Sequence, residues 1–354
     1  MQKTNKKKLM SGNEAIAEAG ISAGCRFYAG YPITPQNELI AYMAQNMVKR
    51  GGVFIQAESE IAAINMVLGA AAAGVRAMTS SSGPGVSLKQ EGISYLAGCE
   101  LPALIVNVMR AGPGLGDISS SQSDYFQATR GGGHGDYFTP VLAPWSVEEA
   151  VKLVMLGFDI ADYYRNPVLI LADAIIGQMM EPVGNFDKSQ FRKKKESKNW
   201  ALTGAKGRPA NSIKSLYLKE GVLEQHNKKL KKKWDKIRKN EQRFFVSDIA
   251  DVDYLIVAYG SQARISLEAI KMLRKNNIKV GLFRPISLWP FPGKGLRKIA
   301  EKVKKILVVE QSLGQMVEDV KLNLPNKEVY FLGRAGGGVP SAGEIIKYIN
   351  NKLI

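Results

Sequence analysis

Two short stretches decide how this chain folds, Tyr31-Pro32-Ile33-Thr34-Pro35 and Gln56-Ala57-Glu58-Ser59-Glu60. Each follows an apolar run that is typical of a buried strand, at residues 26–29 and 52–55. The first stretch places a hydroxyl on a proline-stiffened turn, and the second places carboxylates at a strand end. Because ligands bind at the carboxyl ends of strands in an open α/β sheet, the two stretches indicate chemistry at one rim rather than packing.

The same alternation of short apolar runs and longer helical patterns extends over residues 11–183. It predicts strands at 26–29, 53–57, 76–80, 104–109, 140–143 and 168–171, with helices near 13–23, 35–49, 60–73, 86–97 and 147–164. We expect Pro35 to be a first helical residue and Ser146 to be an N-cap. This rhythm predicts a mostly parallel, doubly wound sheet with helices on both faces.

The alternation stops after residue 183 and resumes over residues 251–354, which predicts a second, smaller α/β unit. Its predicted strands are 254–259, 280–284, 306–310 and 329–332, and its predicted helices are 263–275, 295–303, 314–322 and 341–350. The expected organisation is a basic tail (1–10), a first domain (11–187), a basic connector (188–250) and a second domain (251–354).

The net charge of +17 is concentrated in one segment of the chain. Residues 188–243 hold 19 Lys and Arg against five Asp and Glu, and the rest of the chain is nearly balanced. The basicity therefore belongs to a connector and not to a face of the whole protein. A helix with solvated charge is predicted there from about residue 216 to 243.

The two cysteines, Cys25 and Cys99, lie far apart and lack CxxC spacing. This argues against a disulfide framework and against a zinc or iron–sulfur site on this chain, and it favours a reducing, cytoplasmic setting. The basic N-terminus leads into no apolar core, and there is no run of about 18 apolar residues. We therefore expect neither a signal peptide nor a membrane span.

Several polar residues at the predicted strand ends are candidates for a site, and each has a structural alternative. Glu60 opens a helix, where the macrodipole alone favours an acid, and Glu58 points to the opposite side if the strand continues. Arg110 ends an apolar strand and could fork onto a carboxylate or form a surface ion pair. The small-residue turn 80–85 could bring backbone N–H groups to a ligand or serve close packing.

Two common phosphate-binding patterns are absent, since neither GxGxxG opening a helix nor GxxxxGK[ST] occurs. Gly135-Asp136, with Asn166 thirty residues after the aspartate, suggests the diphosphate–magnesium motif of thiamine enzymes. That motif requires Gly-Asp-Gly, and Tyr137 stands at its third position, so Asn166 is expected to serve a turn. His134 lies in a glycine loop and could carry protons or bond to backbone.

Taken together, four motifs resemble the α subunit of 2-oxoacid:ferredoxin oxidoreductases. In order along the chain they are Gly30-Tyr31-Pro32-Ile33-Thr34-Pro35, Gln56-Ala57-Glu58-Ser59-Glu60-Ile61-Ala62-Ala63, Thr79-Ser80-Ser81-Ser82-Gly83-Pro84-Gly85 and Met109-Arg110-Ala111-Gly112-Pro113. The region 122–136 is most similar to the 2-oxoisovalerate type, and the 2-oxoglutarate type is the near neighbour. The second unit resembles a transketolase C-terminal domain, in which 308–314 is the most recognisable stretch.

The resemblance implies a split site for thiamine diphosphate, with the pyrimidine-binding half on this chain. A β subunit would carry the diphosphate–Mg²⁺ motif and a [4Fe-4S] cluster, and γ and ferredoxin-like δ subunits are further candidate partners. It implies oxidative decarboxylation of a 2-oxoacid, with the acyl group passed to coenzyme A and electrons passed to ferredoxin. No metal ligand is implied on this chain.

The resemblance also assigns roles to individual residues. Glu60 maps onto the acid that contacts the aminopyrimidine ring and so promotes deprotonation of the thiazolium carbon. Thr34 would donate to the developing alkoxide, and Arg110 would anchor the substrate carboxylate. The further residues implied in cofactor binding are Pro32, Ile33, Ser81, Ser82 and Gly83.

Other interpretations stay open at this stage. The segment 188–243 could be a nucleic-acid-binding arm, although only Trp200, Tyr217 and Trp234 interleave its charges. It could instead steer an acidic ferredoxin, or simply connect the two units. The chain could also be a ligand-binding module without catalysis, and the sequence leaves the choice of 2-oxoacid open.

Overall fold

The computed structural model describes residues 7–184 and 197–354, and strands alternate with helices through both ranges. The strands are β1 (Lys8–Ser11), β2 (Phe27–Gly30), β3 (Val53–Gln56), β4 (Ala77–Ser81), β5 (Leu104–Met109), β6 (Val141–Leu142), β7 (Val168–Asp173), β8 (Met180–Val183), β9 (Phe244–Ser247), β10 (Tyr254–Val257), β11 (Val280–Pro285), β12 (Ser287–Trp289), β13 (Lys305–Glu310) and β14 (Val329–Gly333). The helices are α1 (Gly12–Ser22), α2 (Asn37–Asn46), α3 (Glu60–Ala72), α4 (Pro84–Gly98), α5 (Tyr125–Arg130), α6 (Val147–Tyr164), α7 (Ala174–Gln178), α8 (Val222–Asn240), α9 (Gly260–Lys275), α10 (Gly293–Ala300), α11 (Met316–Asn323) and α12 (Ala342–Lys352).

The first sheet has seven strands in the order β12-β6-β7-β5-β4-β2-β3. All its pairs are parallel except that of β12 with β6. The chain leaves β2 for β3 on one side and returns to β4 on the other, so its winding direction reverses between β2 and β4. The ladder between these two strands covers only two residue pairs, and their carboxyl ends part beyond Met78. A crevice at a reversal point of this kind is where open α/β sheets bind ligands.

The second sheet has five strands in the order β14-β13-β10-β11-β9, and only β9 runs antiparallel to its neighbour. At the last residue of β13, the buried carboxylate of Glu310 accepts backbone N–H groups from Met316 and Val317, both at 2.9 Å. These bonds fix the loop after β13 and the start of α11. They give the glutamate of the recognisable stretch 308–314 a structural role. The fold class predicted from the sequence is confirmed in both units.

Buried polar contacts join the two units. Gln122 donates its backbone N–H to the Gln311 carbonyl at 2.8 Å and accepts the Gln311 N–H on Oε1 at 3.1 Å. Arg284 on β11 is buried and makes a two-pronged ion pair with Glu149 on α6, at 2.6 and 2.7 Å. Pairing of this geometry is specific as well as strong, so it fixes the second unit against the first.

The helix α8 in the basic segment is packed on one face, whereas the sequence predicted a helix with solvated charge. α8 buries Leu230, Trp234 and Ile237 on one face, and the Trp234 indole N–H donates to Asn166 Oδ1 at 3.3 Å. Spacings of four and three residues make these side chains an amphipathic stripe, which the high charge of the segment masks. α8 is therefore packed against the first unit, where Asn166, just before β7, accepts its indole N–H. The predicted segment at 188–196 lies outside the described residues, as do residues 1–6 of the predicted tail.

Some elements differ from the sequence-based predictions. α2 begins at Asn37 and not at Pro35, because Gln36 closes a turn onto the Ile33 carbonyl. The sequence reasoning missed the β1–β8 pair and strands β9 and β12, which are short antiparallel additions outside the parallel rhythm. β12 follows β11 closely and yet belongs to the first sheet. Within the described ranges, we find no helix that is both long and apolar enough to span a bilayer.

Candidate active site

Four neighbouring strands of the first sheet deliver polar groups to one edge. β2 leads into the turn 31–35, β3 into 57–60, β4 into 82–85, and β5 into Arg110. These strands are adjacent in the order β5-β4-β2-β3 and all are parallel, so their carboxyl ends lie side by side. This places the sequence-predicted residues on the same rim, at the point where the direction of winding reverses.

Glu60 is the buried acid of this rim, with 6% of its surface exposed. It is the first residue of α3, and Ser59 caps the helix by accepting the Ala62 N–H at 3.1 Å. Glu58 lies two residues earlier and is exposed. Of the two acids, only Glu60 is buried, and the helix N-terminus favours negative charge at its position.

The Glu60 carboxylate lies against the first turn of α4. A Cβ added to Gly85 would come within 2.4 Å of Glu60 Oε1 and 2.2 Å of Ser81 Oγ, so glycine is required for this close approach. Ser81 and Ser82 are both fully buried, and neither hydroxyl has a hydrogen-bond partner among the described residues. Buried hydroxyls without partners are uncommon in folded proteins, which makes this wall a candidate for binding a polar ligand.

Arg110, which follows β5, is hydrogen-bonded to the turn that follows β2. Its Nη1 donates to the Thr34 carbonyl at 3.0 Å and its Nη2 to the Leu115 carbonyl at 3.0 Å. Its Nε is buried without a partner among the described residues and lies 3.0 Å from where a Cβ on Gly83 would be. A guanidinium has five N–H donors, so this one is held in place and still has three to offer to an anion.

The outer part of the rim is exposed and largely apolar. Pro32 is exposed, Ile33 and Thr34 are half-buried, and the Thr34 hydroxyl accepts the Asn37 side-chain N–H at 3.3 Å. The loop after Arg110 adds Leu115 and Ile118, which are 80% and 60% exposed. In this chain the site is thus an open face rather than an enclosed pocket. His134 also lies exposed, on a separate glycine loop.

Sequence reasoning missed a polar layer beneath this rim. Tyr28 donates to Ser80 Oγ at 2.6 Å, and Ser80 in turn donates to Gln36 Oε1 at 2.5 Å, which ties β2, β4 and the turn before α2 together. On β5, Asn107 donates to Asp124 Oδ2 at 2.9 Å, and burial raises the pKa of Asp124. The alternation of Ser80 and Ser81 on β4 could have revealed that the two hydroxyls serve opposite faces.

Lys89 on α4 is a second missed residue. It is completely buried, and its ammonium donates to Thr79 Oγ1 at 3.0 Å and to the Glu60 carbonyl at 3.5 Å. Burial lowers the pKa of Lys89 to about 8, and the neighbouring Glu60 opposes that shift. A signal was present in the sequence, because Gly85, Lys89 and Gly92 recur at helical spacing on one face.

Comparison with known proteins identifies the class to which this fold and site belong. Residues 18–245 match the family described as pyruvate flavodoxin/ferredoxin oxidoreductase, thiamine diphosphate-binding, and residues 252–345 match pyruvate:ferredoxin oxidoreductase core domain II. The first match takes in all four strand ends. The first matched region holds six of the seven strands of the first sheet, and the second holds four of the five strands of the second sheet. The class is therefore a thiamine diphosphate-binding α/β protein with a second α/β domain.

Curated relatives narrow this class. The ketoisovalerate oxidoreductase subunit VorB of Methanothermobacter marburgensis is 46% identical over 342 residues, which cover 97% of each chain. The 2-oxoglutarate synthase subunit KorA of Methanothermobacter thermautotrophicus is 37% identical over 368 residues, covering 96% of this chain and 97% of its own. The chain belongs to the 2-oxoacid:ferredoxin oxidoreductase family, as a subunit of such an enzyme.

Solved structures agree with this assignment. A 2-oxoglutarate:ferredoxin oxidoreductase from Magnetococcus marinus, with 2-oxoglutarate, coenzyme A and succinyl-CoA bound, superposes with a TM-score of 0.90 at 28% identity. The match covers 100% of this chain and 66% of that one. A split-gene transketolase, an inactive β4 tetramer, superposes at a TM-score of 0.60 with 14% identity, which shows the shared fold alone.

The residues at the rim fit part of a thiamine diphosphate molecule. The buried Glu60 carboxylate and the unpartnered Ser81 hydroxyl meet at Gly85, where a single added Cβ would collide with both, and the unpartnered Ser82 hydroxyl follows Ser81 in the chain. This donor and acceptor set suits the nitrogen atoms of an aminopyrimidine ring. Within the described residues there is no group of three or more His, Cys, Asp or Glu able to hold a metal ion.

Proposed function

We propose that this chain is the α subunit of a 2-oxoisovalerate:ferredoxin oxidoreductase and supplies the pyrimidine-binding half of its cofactor site. The observation that carries the proposal is the buried Glu60 carboxylate, which lies against Gly85 beside the unpartnered hydroxyl of Ser81. When bound, thiamine diphosphate supplies the carbon nucleophile for oxidative decarboxylation, and coenzyme A accepts the acyl group. The protein contributes orientation, charge and exclusion of water.

Each rim residue has a role in this proposal. Glu60 holds a proton at its carboxyl group for a ring nitrogen of the cofactor, and its burial makes that exchange sensitive to nearby charge. Ser81 and Ser82 provide hydroxyls to the same ring, while Pro32, Ile33 and Gly83 shape the walls around it. Arg110 offers its remaining N–H groups to the substrate carboxylate. The Thr34 hydroxyl donates to the oxygen of the substrate's oxo group.

The proposal requires a partner. The relatives are named as subunits, and the rim of this chain is an open face on which Tyr31 and Pro32 are exposed. We place the diphosphate–Mg²⁺ site and a [4Fe-4S] cluster on a β subunit that covers this face, and we leave the γ and ferredoxin-like δ subunits as candidates. Cys25 and Cys99 are free thiols, which supports our proposal of a cytoplasmic location.

The choice of substrate follows from the charges at the rim. Arg110 is the only Lys or Arg in the four rim segments 30–37, 56–60, 80–85 and 109–121. A single cation suits one carboxylate, and the apolar side chains of Ile33, Leu115 and Ile118 suit a branched alkyl end. A 2-oxoglutarate substrate would require a second cation for its distal carboxylate. The 37% identity to KorA keeps that substrate as the alternative.

The test is a reconstituted complex of this chain with its β subunit, assayed on 2-oxoisovalerate, 2-oxoglutarate and pyruvate. Glu60→Gln keeps the size of the side chain and removes its charge, and we expect kcat to fall by at least about 100-fold. Glu58→Gln is the matched control, because it makes the same change on an exposed residue two positions away. Full activity of Glu60→Gln would refute the role of this acid. A higher kcat/KM for 2-oxoglutarate would transfer the assignment to the alternative substrate.

A further inference from the structure

The α4 face that contacts α3 carries one large residue between two glycines. A Cβ on Gly85 would collide with Glu60 Oε1 at 2.4 Å, and a Cβ on Gly92 would collide with Ile64 Cγ1 at 2.6 Å. Lys89 lies between them on this face, one helical turn beyond Gly85. Helical side chains lean toward the N-terminus of their helix, so the Lys89 side chain runs back toward the Glu60 end of the contact.

The surroundings of the Lys89 ammonium contain few polar groups. It donates to Thr79 Oγ1 on β4 and to the Glu60 backbone carbonyl on α3. Among the described residues, no carboxylate lies within ion-pair distance of it, and Glu60 is the charged group that acts on it. Thr79 and Ser81 are two residues apart on β4 and so face the same side of the sheet. The cation thus lies on the same side of β4 as the Ser81 hydroxyl and contacts the backbone of Glu60.

A buried cation without a carboxylate contact costs stability. The effective penalty for moving an ion into a protein interior is several kcal/mol, and two neutral acceptors recover only part of it. An apolar residue of the same length would fill this space without that cost. Buried ionisable groups beside a cleft are therefore candidates for function.

We propose that Lys89 is a positioning residue for the Glu60 carboxylate: its ammonium fixes the first turn of α3 and supplies the positive charge against which Glu60 exchanges its proton. This inference rests on the proposed function of Glu60. When the Glu60 carboxyl group gives its proton to the cofactor ring, the anion that remains is stabilised by the ammonium beneath it. When the proton returns to Glu60, Lys89 keeps its own proton, so charge and protons balance in both directions.

The proposal predicts a titration at Lys89 itself. Its pKa is lowered to about 8 by burial, so the ammonium loses its proton as the pH rises through that value. The groups that face it are Glu60 from α3 and the uncharged Thr79 from β4, and its neighbours on the α4 face are glycines. We expect both kcat and cofactor affinity to fall as pH rises through about 8.

The experiment compares Lys89→Met with wild type in the reconstituted complex. Two profiles are measured between pH 6.5 and 9.5, one of the dissociation constant of thiamine diphosphate, by calorimetry, and one of kcat. KM for the 2-oxoacid is measured alongside kcat. In Lys89→Met we expect kcat at pH 7 to fall at least about 10-fold, KM for the 2-oxoacid to change less than about twofold, and the transition near pH 8 to disappear from both profiles. Lys233→Met is the matched control, because burial also lowers the pKa of Lys233 to about 8, but on α8. It should keep the transition.

A second variant, Thr79→Val, tests the proposal even if Lys89→Met fails to fold. Thr79→Val keeps the ammonium and removes its 3.0 Å hydrogen bond, so the charged form is less stabilised and the midpoint should move to lower pH. If Lys89→Met retains the transition and loses less than twofold in kcat, or if Thr79→Val leaves the midpoint unchanged, the role of Lys89 is refuted. Glu60→Gln separates the two proposals. An inactive Glu60→Gln beside an unaffected Lys89→Met overturns only the inference about Lys89, whereas a fully active Glu60→Gln overturns the proposed function.

Discussion

Substituting Gly85 with alanine tests the contact on which the site depends. The added Cβ would lie 2.4 Å from Glu60 Oε1 and 2.2 Å from Ser81 Oγ. Ordinary van der Waals contact begins at about 3.4 Å, so the carboxylate must retreat by roughly 1 Å, and Ser81 must rotate or shift. Because both groups are buried, they have few alternative positions.

The magnitude follows from this displacement. A misplacement of about 1 Å in a reacting group costs about 100-fold in rate, which corresponds to roughly 2.7 kcal/mol of transition-state stabilisation. The added methyl group should also cost about 1–3 kcal/mol of folding free energy through overpacking, partly offset by the better helix propensity of alanine. We therefore expect kcat of Gly85→Ala to fall about 100-fold while the chain remains folded.

The assay is 2-oxoacid-dependent electron transfer by the reconstituted complex, with melting temperature as the folding control. Gly69→Ala is the matched variant, since Gly69 is an exposed glycine of α3 with nothing within 4 Å of an added Cβ. It should leave kcat unchanged and raise stability slightly. If Gly85→Ala turned over at the wild-type rate with Glu60 unmoved in its structure, the geometric reasoning would be wrong.

Three further outcomes are expected. Arg110→Lys removes the forked guanidinium donor, so KM for the 2-oxoacid should rise about 10- to 100-fold, which is equivalent to roughly 1.5–3 kcal/mol. The change in kcat should be smaller. An unchanged KM would show that Arg110 does not bind the substrate. Burial lowers the pKa of Lys233 from 10.5 to about 8 against the attraction of Glu100, so the unfolded chain binds more protons between these values. The unfolding free energy of the wild type should therefore rise between about pH 8 and 10.5, by up to about 3 kcal/mol more than that of Lys233→Met. Denaturant titration at several pH values measures both, and an equal rise in the two proteins would contradict this prediction. Replacing Lys232, Lys236 and Lys239 on the exposed face of α8 with Gln should leave the salt dependence of ferredoxin reduction unchanged if α8 is a connector, whereas a weaker salt dependence would assign it to steering.

The parallel parts of the fold were predictable because their signal is local. β5 and α6 match their predicted bounds, since six consecutive apolar or neutral residues and a capped amphipathic run leave little choice. β12 was missed because three residues carry no periodic signal, and only the packing of the second unit brings them to β6. The hydrophobic stripe of α8 was hidden by the lysines around it. In each missed element, tertiary contacts outweigh the local pattern.

Some residues of the site could also be predicted from the sequence, and others could not. Glu60, Arg110 and the turn 80–85 could be named from the sequence because polar residues at strand ends stand out against apolar runs. Lys89 was not named, because a lysine in a helix is ordinarily exposed and the only sequence signal was its helical spacing with Gly85 and Gly92, whose close packing buries it. Its burial is visible only once α3 and α4 are placed together.

The distribution of unpartnered buried atoms supports a cofactor wall that is completed by a second subunit. Of the twelve described residues with such side-chain atoms, five belong to the strand ends or the layer beneath them: Gln36, Ser81, Ser82, Asn107 and Arg110. Four of these residues lie on or directly after β4 and β5, two adjacent strands. By contrast, the acids Glu310 and Asp173 near the junction of the units accept several hydrogen bonds each. The other seven residues are spread over the rest of the described chain, whereas these five put polar atoms in place for a ligand at one rim, beside the buried acid Glu60.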